Sequence, residues 1–297
     1  MRKTWRNMFC AAVIGMALPW TSAAFAAPVT DVAVTVNVNQ VQQDIDWVKD
    51  EVRAEGYGVT PAGKEGPQGR LMARRAALVD AYRNLTESIY SVQITSESTV
   101  RDHVVESDVA STQVRAVIHG ARVVGEEQRE DGVYVVKIAV DLHGSGSVAE
   151  AVADGFRGVL PAENAPVSSG YNPAGEVAAR AAGYTGVIID ASGLGLEGSF
   201  SPVIYDTAGR AIYGARDIDK AFAISKGMVE YSSSVEAASG NSRAGSNPLV
   251  VRAVEVRGGG NSANPINTVV SVEDGDAILF ADSRSGFLGK KAVVFVK

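Results

Sequence analysis

Cysteine is all but missing from this 297-residue chain: the one present is Cys10, and the only histidines are His103, His119 and His143. A single thiol cannot close a disulfide within the chain, and a cysteine-based zinc cluster is excluded. The histidines stand 16 and 24 residues apart, so no HExxH pair exists. Positive charge is short as well. Lys and Arg number 28 against 34 Asp and Glu, a net charge of −6. Three of those cations, Arg2, Lys3 and Arg6, lie in the first 26 residues, and the remainder carries −9. That balance, with no basic cluster to offset it, argues against nucleic acid as a partner. Nucleophile motifs are also missing: no serine sits in G-x-S-x-G or three residues before a lysine. Long apolar runs stop early, and nothing beyond the first 26 residues approaches the ~20 that a membrane helix needs.

What is present begins with an address. Arg2-Lys3-Thr4-Trp5-Arg6 is a basic start, Met8 to Leu18 is a short apolar core, Pro19 breaks it, and Ala24-Phe25-Ala26 supplies small residues for cleavage. The pattern predicts export with cleavage after Ala26, since cutting one residue later would leave Pro28 first. Cys10 precedes most of the apolar stretch, which argues against a lipidated cysteine. The expected destination is the periplasm, with no transmembrane span in the mature chain and the outer membrane as a peripheral neighbour.

The remaining length and its composition predict an α+β protein in two parts. Residues 27–143 read as a small antiparallel sheet with one long packed helix. Val32, Val34, Val36 and Val38 alternate as a half-buried strand. Residues 41–59 fit either a helix or an extended segment. Gln68 to Tyr90 is the clearest helix, with Leu71, Leu78, Tyr82, Leu85 and Ile89 on one face and Ala73, Ala76, Ala77 and Ala81 allowing close packing. Val92 and Ile94 open a strand, and Val105, Val109, Val114, Val117 and Ile118 mark one shorter helix ending at Gly120. Ala121–Glu127 and Val133–Leu142 flank Glu130-Asp131-Gly132 as a hairpin. Residues 144–182 read as a linker holding a short helix at Val148–Phe156, with Pro161 to Gly175 rich in Pro, Ala, Ser and Gly. Residues 183–297 read as a β-rich domain short of long helices. Its strands are Tyr184–Asp190, a hairpin across Asp206-Thr207-Ala208-Gly209, Leu249–Val256, Thr268–Val272, Ala277–Phe280 and Lys291–Val296, with a short helix at Ile218–Lys226.

Motifs with chemical meaning are few. Gly193-Leu194-Gly195-Leu196-Glu197-Gly198 matches G-x-G-x-x-G after a strand, but a dinucleotide site needs a helix next. Ser199-Phe200-Ser201-Pro202 leaves no room for one, so the run reads as a bend between strands. Asp217 and Asp219 lack the further acids of a cation loop. Asp44/Asp46, Glu126/Glu127 and Arg74-Arg75 read as wet surface, His119 as a helix-end residue, and Asn84-Leu85-Thr86 as a sequon buried in a helix. The residues therefore nominate no catalytic, cofactor-binding or metal-binding side chain.

Two stretches taken together carry a resemblance. Gly69-Arg70-Leu71-Met72-Ala73-Arg74-Arg75-Ala76-Ala77-Leu78-Val79-Asp80-Ala81-Tyr82-Arg83-Asn84-Leu85 is one; Gly120-Ala121-Arg122-Val123-Val124-Gly125 with Asp131-Gly132-Val133-Tyr134-Val135-Val136-Lys137-Ile138 is the other. Residues 51–142 are similar to the domain shared by the bacterial twenty-kilodalton lipoprotein family and the N-terminal part of flagellar assembly protein T. Tyr184 to the end looks like the segment that follows it in some exported bacterial relatives. The resemblance implies a Gram-negative envelope protein with a structural or assembly role and no active site. Its partners would be other envelope or flagellar basal-body proteins, or further copies of itself. The lipoproteins' lipidated cysteine is missing here, which favours a soluble, partner-bound component. Two alternatives remain open. One is a periplasmic binding module for a glycan or small ligand, using Tyr205, Tyr213 and the bend near Gly193. The other is a hydrolase with a dispersed Ser-His-Asp triad.

Overall fold

A computed structural model describes residues 45–64, 66–156, 166–172, 183–214, 220–258 and 263–297. The expected export signal, the expected Val32–Val38 strand and the Asp217/Asp219 pair lie outside them.

The fold is α+β. In the first region β1 (Ile45–Asp46), β2 (Glu51–Val59), β3 (Arg122–Gln128) and β4 (Val133–Asp141) form an antiparallel sheet in the order β1-β2-β4-β3. The ambiguous stretch 41–59 is extended where described. A tight turn joins β1 to β2, with Asp46 Oδ1 accepting from the backbone N–H groups of Val48 and Lys49 at 3.1 and 2.9 Å. The Asp131-Gly132 turn closes the β3–β4 hairpin with Gly132 at φ 83°, the left-handed conformation that Asp-Gly turns favour.

Helix α1 (Pro67–Ser91) lies across this sheet, burying Leu85 and Ile89 of the expected face together with the alanines, but not Leu71. The buried positions are Gly69, Ala73, Ala77, Ala81, Leu85, Ser88 and Ile89, while Leu71 is 67% exposed. Two glycines on β2 explain the choice. A methyl carbon added at Gly56 would stand 2.1 Å from Ala81 N, and one at Gly58 would stand 2.0 Å from Ala73 O. The helix backbone rests directly on the strand backbone, and only an alanine stripe fits between them. Asn84 sits on this seam and donates to Glu55 O at 2.7 Å, so the sequon is packing.

The expected strand at Val92 and Ile94 is reduced to one bridge between Gln93 and Thr99. The single helix expected after it is two: α2 (Val100–Glu106) and α3 (Asp108–His119). Thr99 and Asp102 form a reciprocal cap on α2, and Ser107, extended at φ −137°, breaks the run while its hydroxyl accepts from Ala110 N. Val105 and Val109 consequently face solvent instead of the core. The helix ends at Gly120 as expected.

The supposed linker begins inside the core. Helix α4 (Val148–Ala151), followed by a 3-10 turn at Ala153–Gly155, buries Val148, Ala149, Val152 and Phe156. Gly144 N donates to Ile224 O at 2.8 Å.

The second region holds two four-stranded sheets. One has the order β8-β12-β5-β9, with every pair parallel: β5 (Gly186–Asp190), β8 (Glu230–Ser232), β9 (Pro248–Arg252) and β12 (Val293–Val296). The other has the order β10-β11-β6-β7 and combines the expected hairpin of β6 (Ile204–Asp206) and β7 (Ala211–Tyr213) with β10 (Glu255–Arg257) and β11 (Asn267–Val270). Short helices α5 (Lys220–Lys226) and α6 (Val235–Ser239) flank β8.

Ala277–Phe280 is not a strand but part of helix α7 (Val272–Ser285). Ser271 caps its start by accepting from Asp274 N at 3.0 Å, Glu273 and Asp274 occupy the first turn, and Gly286 at φ 67° closes it. Beside α7 the buried acids Asp206 and Asp276 both pair with Arg210, at 2.5 and 3.0 Å.

Among the described residues no helix is long and apolar enough to cross a membrane.

Candidate functional site

The two regions meet through aromatic rings. Trp47, in the turn after β1, stands with its ring centroid 5.2 Å from Phe200 and 5.3 Å from Tyr231. His143 and Phe156 also close on Phe200, at 5.2 and 5.5 Å. The glycine run that resembles a nucleotide motif serves this contact: no helix follows it, and a methyl carbon at Gly198 would lie 2.1 Å from Trp47 Cδ1. Tyr231 completes the seat, its hydroxyl donating to Ser199 O and accepting from Ser199 N. Burial pushes that phenol far above its ordinary pKa. One continuous apolar core therefore runs from Trp47 through Leu85 and Ile138 to Phe295.

A cleft of about 560 Å³ opens beside this junction, within the ordinary range for small-molecule sites. Its walls carry Lys226, Arg243, Lys290 and Lys291 against Asp50 and Glu230. The two carboxylates are engaged: Asp50 Oδ1 is 2.5 Å from His143 Nδ1, and Glu230 accepts from the Asn241 amide. Arg243 is engaged too. Its guanidinium donates to Lys291 O at 2.8 Å, Lys226 O at 2.6 Å and Gly227 O at 2.8 Å, and packs over Phe222. Burial lowers its pKa from the usual arginine value. Lys290 donates to Ser285 O. Among the described residues the ammonium groups of Lys226 and Lys291 meet no acceptor. The same cleft contains both described non-glycine residues with left-handed backbone, Asp50 at φ 61° and Lys291 at φ 57°.

Asp50 and His143 are two members of a Ser-His-Asp arrangement. Ser225 also lines the cleft, but its hydroxyl donates to Phe222 O, and no described serine hydroxyl hydrogen-bonds His143. His103 packs against Gly155, and His119 sits exposed in the last turn of α3. Among the described residues no three His, Cys, Asp or Glu side chains gather as a metal site requires.

Tyr205 and Tyr213 do not form a shared platform. Tyr213 is buried with its hydroxyl donating to Met228 O at 2.6 Å, whereas Tyr205 lies under the Arg257 guanidinium at 4.0 Å. Arg74 is tied to Glu126, which Tyr134 also contacts at 2.8 Å, and the arginine lowers that carboxyl's pKa. The junction cleft was missed in the sequence because Asp50, His143, Lys226 and Lys291 share no spacing. The only trace was a glycine run with no helix to serve.

A further surface feature separates the regions. Of the twelve large apolar side chains that stand exposed among the described residues, ten lie between Val48 and Val124, including Leu71, Met72 and Val79 on α1. Strand β3 is an open sheet edge with Val123 and Val124 both exposed.

The molecule is thus an α+β protein of two regions fused through an aromatic junction. Residues 186–297, a little over a third of the chain, match the family model for the second domain of Treponema pallidum Tp0624. The match starts at the first residue of β5 and covers the whole second region to its end. No curated protein matches the chain.

Proposed function

We propose that this is an exported, non-enzymatic protein of the bacterial cell envelope with a structural or assembly role, in which the first region meets protein partners and the second braces it. The concentration of exposed apolar side chains on residues 48–124 carries this reading. Scattered exposed apolar groups are ordinary on any protein surface, but here they are unevenly shared, and an open edge strand lies among them. Such edges receive a partner's strand readily. The basic leader and the resemblance of residues 51–142 to the lipoprotein and flagellar assembly protein T domain support the same reading, with the flagellar basal body as its sharpest form.

The test is quantification of the protein in detergent-extracted basal bodies against bulk periplasm. Enrichment in fixed ratio to ring components is the expected result. Levels equal to bulk periplasm would refute the flagellar form. Site-specific photo-cross-linking from Val79 and Val124 then tests the wider reading: discrete adducts support it, and none from either position removes it.

A further inference from the structure

We propose that the junction cleft is a binding site for a small anion of sugar size that carries phosphate or carboxylate groups, with Lys226 and Lys291 receiving the charge. The proposal goes beyond the assembly role and concerns a different face of the molecule.

The argument starts from which charges are already satisfied. Both carboxylates that line the cleft have partners, Asp50 in His143 and Glu230 in Asn241. Arg243 spends its donors on three backbone carbonyls, and Lys290 is held by Ser285 O. Two ammonium groups are left over, on a chain whose net charge is −6. A concave, locally cationic surface within an anionic protein concentrates small anions by focusing the field between low-dielectric walls.

The backbone holds those two lysines in place. The carbonyls that Arg243 grips belong to Lys226, Gly227 and Lys291, so one half-buried guanidinium ties the end of α5 to the turn before β12. Arg243 is thereby a positioning residue. Lys291 adopts φ 57°, a left-handed conformation that is strained for an L-residue. Glycine would adopt it without that penalty, yet a lysine stands there. Strain of this kind gathers where geometry serves a ligand. The volume, about 560 Å³, admits a sugar phosphate or a sugar acid and excludes a folded partner.

Isothermal titration of the full chain with glucose 1-phosphate and with N-acetylmuramic acid tests this. One-to-one saturable binding of at least one probe is expected, weakening as salt rises. The Lys226→Gln/Lys291→Gln double variant should bind at least about tenfold more weakly, with an unshifted melting temperature because neither ammonium has a partner to lose. Arg115→Gln, an exposed cation on α3, should change affinity less than twofold. Binding of the phosphate probe alone assigns a phosphorylated ligand, and of the acid alone a carboxylated one. If neither probe saturates, or if the double variant binds like the parent, the site is refuted, and the assembly role stands or falls separately on its own test.

Discussion

In the first region α1 rests on β2 through Gly56, Gly58, Ala73, Ala77 and Ala81. In the second, the central strands β5 and β12 of the parallel sheet carry Val187, Ile188, Ile189, Val293, Val294 and Phe295, buried on both faces. One face of that sheet enters the common core, and the other closes over Ile188, Val294 and Val296 beneath Ala238 of α6. The α1–β2 seam gains its contacts by bringing backbones together, the parallel sheet by filling space with branched side chains. The two should therefore fail in opposite ways: one cannot tolerate added atoms, the other cannot tolerate their removal. The same division extends to the surface. Using alanine and glycine for the α1–β2 seam leaves Leu71, Met72 and Val79 of α1 pointing outward, where a partner can reach them.

The largest expected effect comes from severing the comparison altogether. Trp47→Ala removes the ring shared by both regions and should cost about 3–5 kcal/mol. Calorimetry should show the parent's single transition broaden or split in two as the regions melt apart. A parent that already melts in two steps would contradict the continuous core.

Next, Gly56→Val should destabilise by about 3 kcal/mol in denaturant titration, because the new carbons would overlap the α1 backbone. The reciprocal change, Ile188→Ala, should cost ~2–5 kcal/mol by leaving a void in the second region. Tolerance of valine at Gly56 would mean that helix and strand can part, and the contrast would collapse.

A smaller effect has the opposite sign. Lys291→Gly should raise stability by ~1 kcal/mol by releasing the left-handed backbone. It should also lose anion binding, so that stability and affinity move apart in one variant.

The smallest concerns acid. Lys137 holds the Glu55 carboxyl below its ordinary pKa, and Arg74 does the same for Glu126. In the second region the Ser192 hydroxyl, helped by Arg252, lowers Asp190. Each contributes stability that is present above the ordinary carboxylate range and is lost as pH falls through the depressed value. Asp282 opposes them, since burial raises its pKa and folding favours its protonated form. It also sits in the last turn of α7, where a negative charge faces the helix carbonyls. Asp282→Asn should accordingly raise the melting temperature at pH 7, by ~0.5 kcal/mol in stability, and make no difference at pH 3.

Much of the first region was legible because local rules act there without competition. The Asp131-Gly132 hairpin, the span of α1 and the stop at Gly120 follow from turn chemistry and periodicity. The buried face of α1 was legible at Leu85, Ile89 and the alanines, but the exposure of Leu71 was not: two glycines some fifteen residues before the helix's first alanine bring the seam onto Ala73, Ala77 and Ala81. In the second region α7 escaped notice although its punctuation was present, with Ser271 three residues before Asp274 and Gly286 at the far end. Its apolar content is too sparse to display a helical period. The merging of the two regions' cores was not visible in composition. Nothing local to Trp47 announces that its slot is made by Gly198, and no spacing rule joins Asp50 to His143 or Lys226 to Lys291.

The seating of Trp47 has a consequence for how the molecule is made. Its ring lies about 150 residues from Gly198 and farther still from Tyr231, a separation whose closure is slow in folding. A chain synthesised from its amino end delivers this tryptophan early and its pocket late. In the interval the first region stands with its junction surface bare, beside an open strand edge and an outward row of valines. The period between the arrival of Trp47 and that of Tyr231 is when it most needs shelter from its own kind.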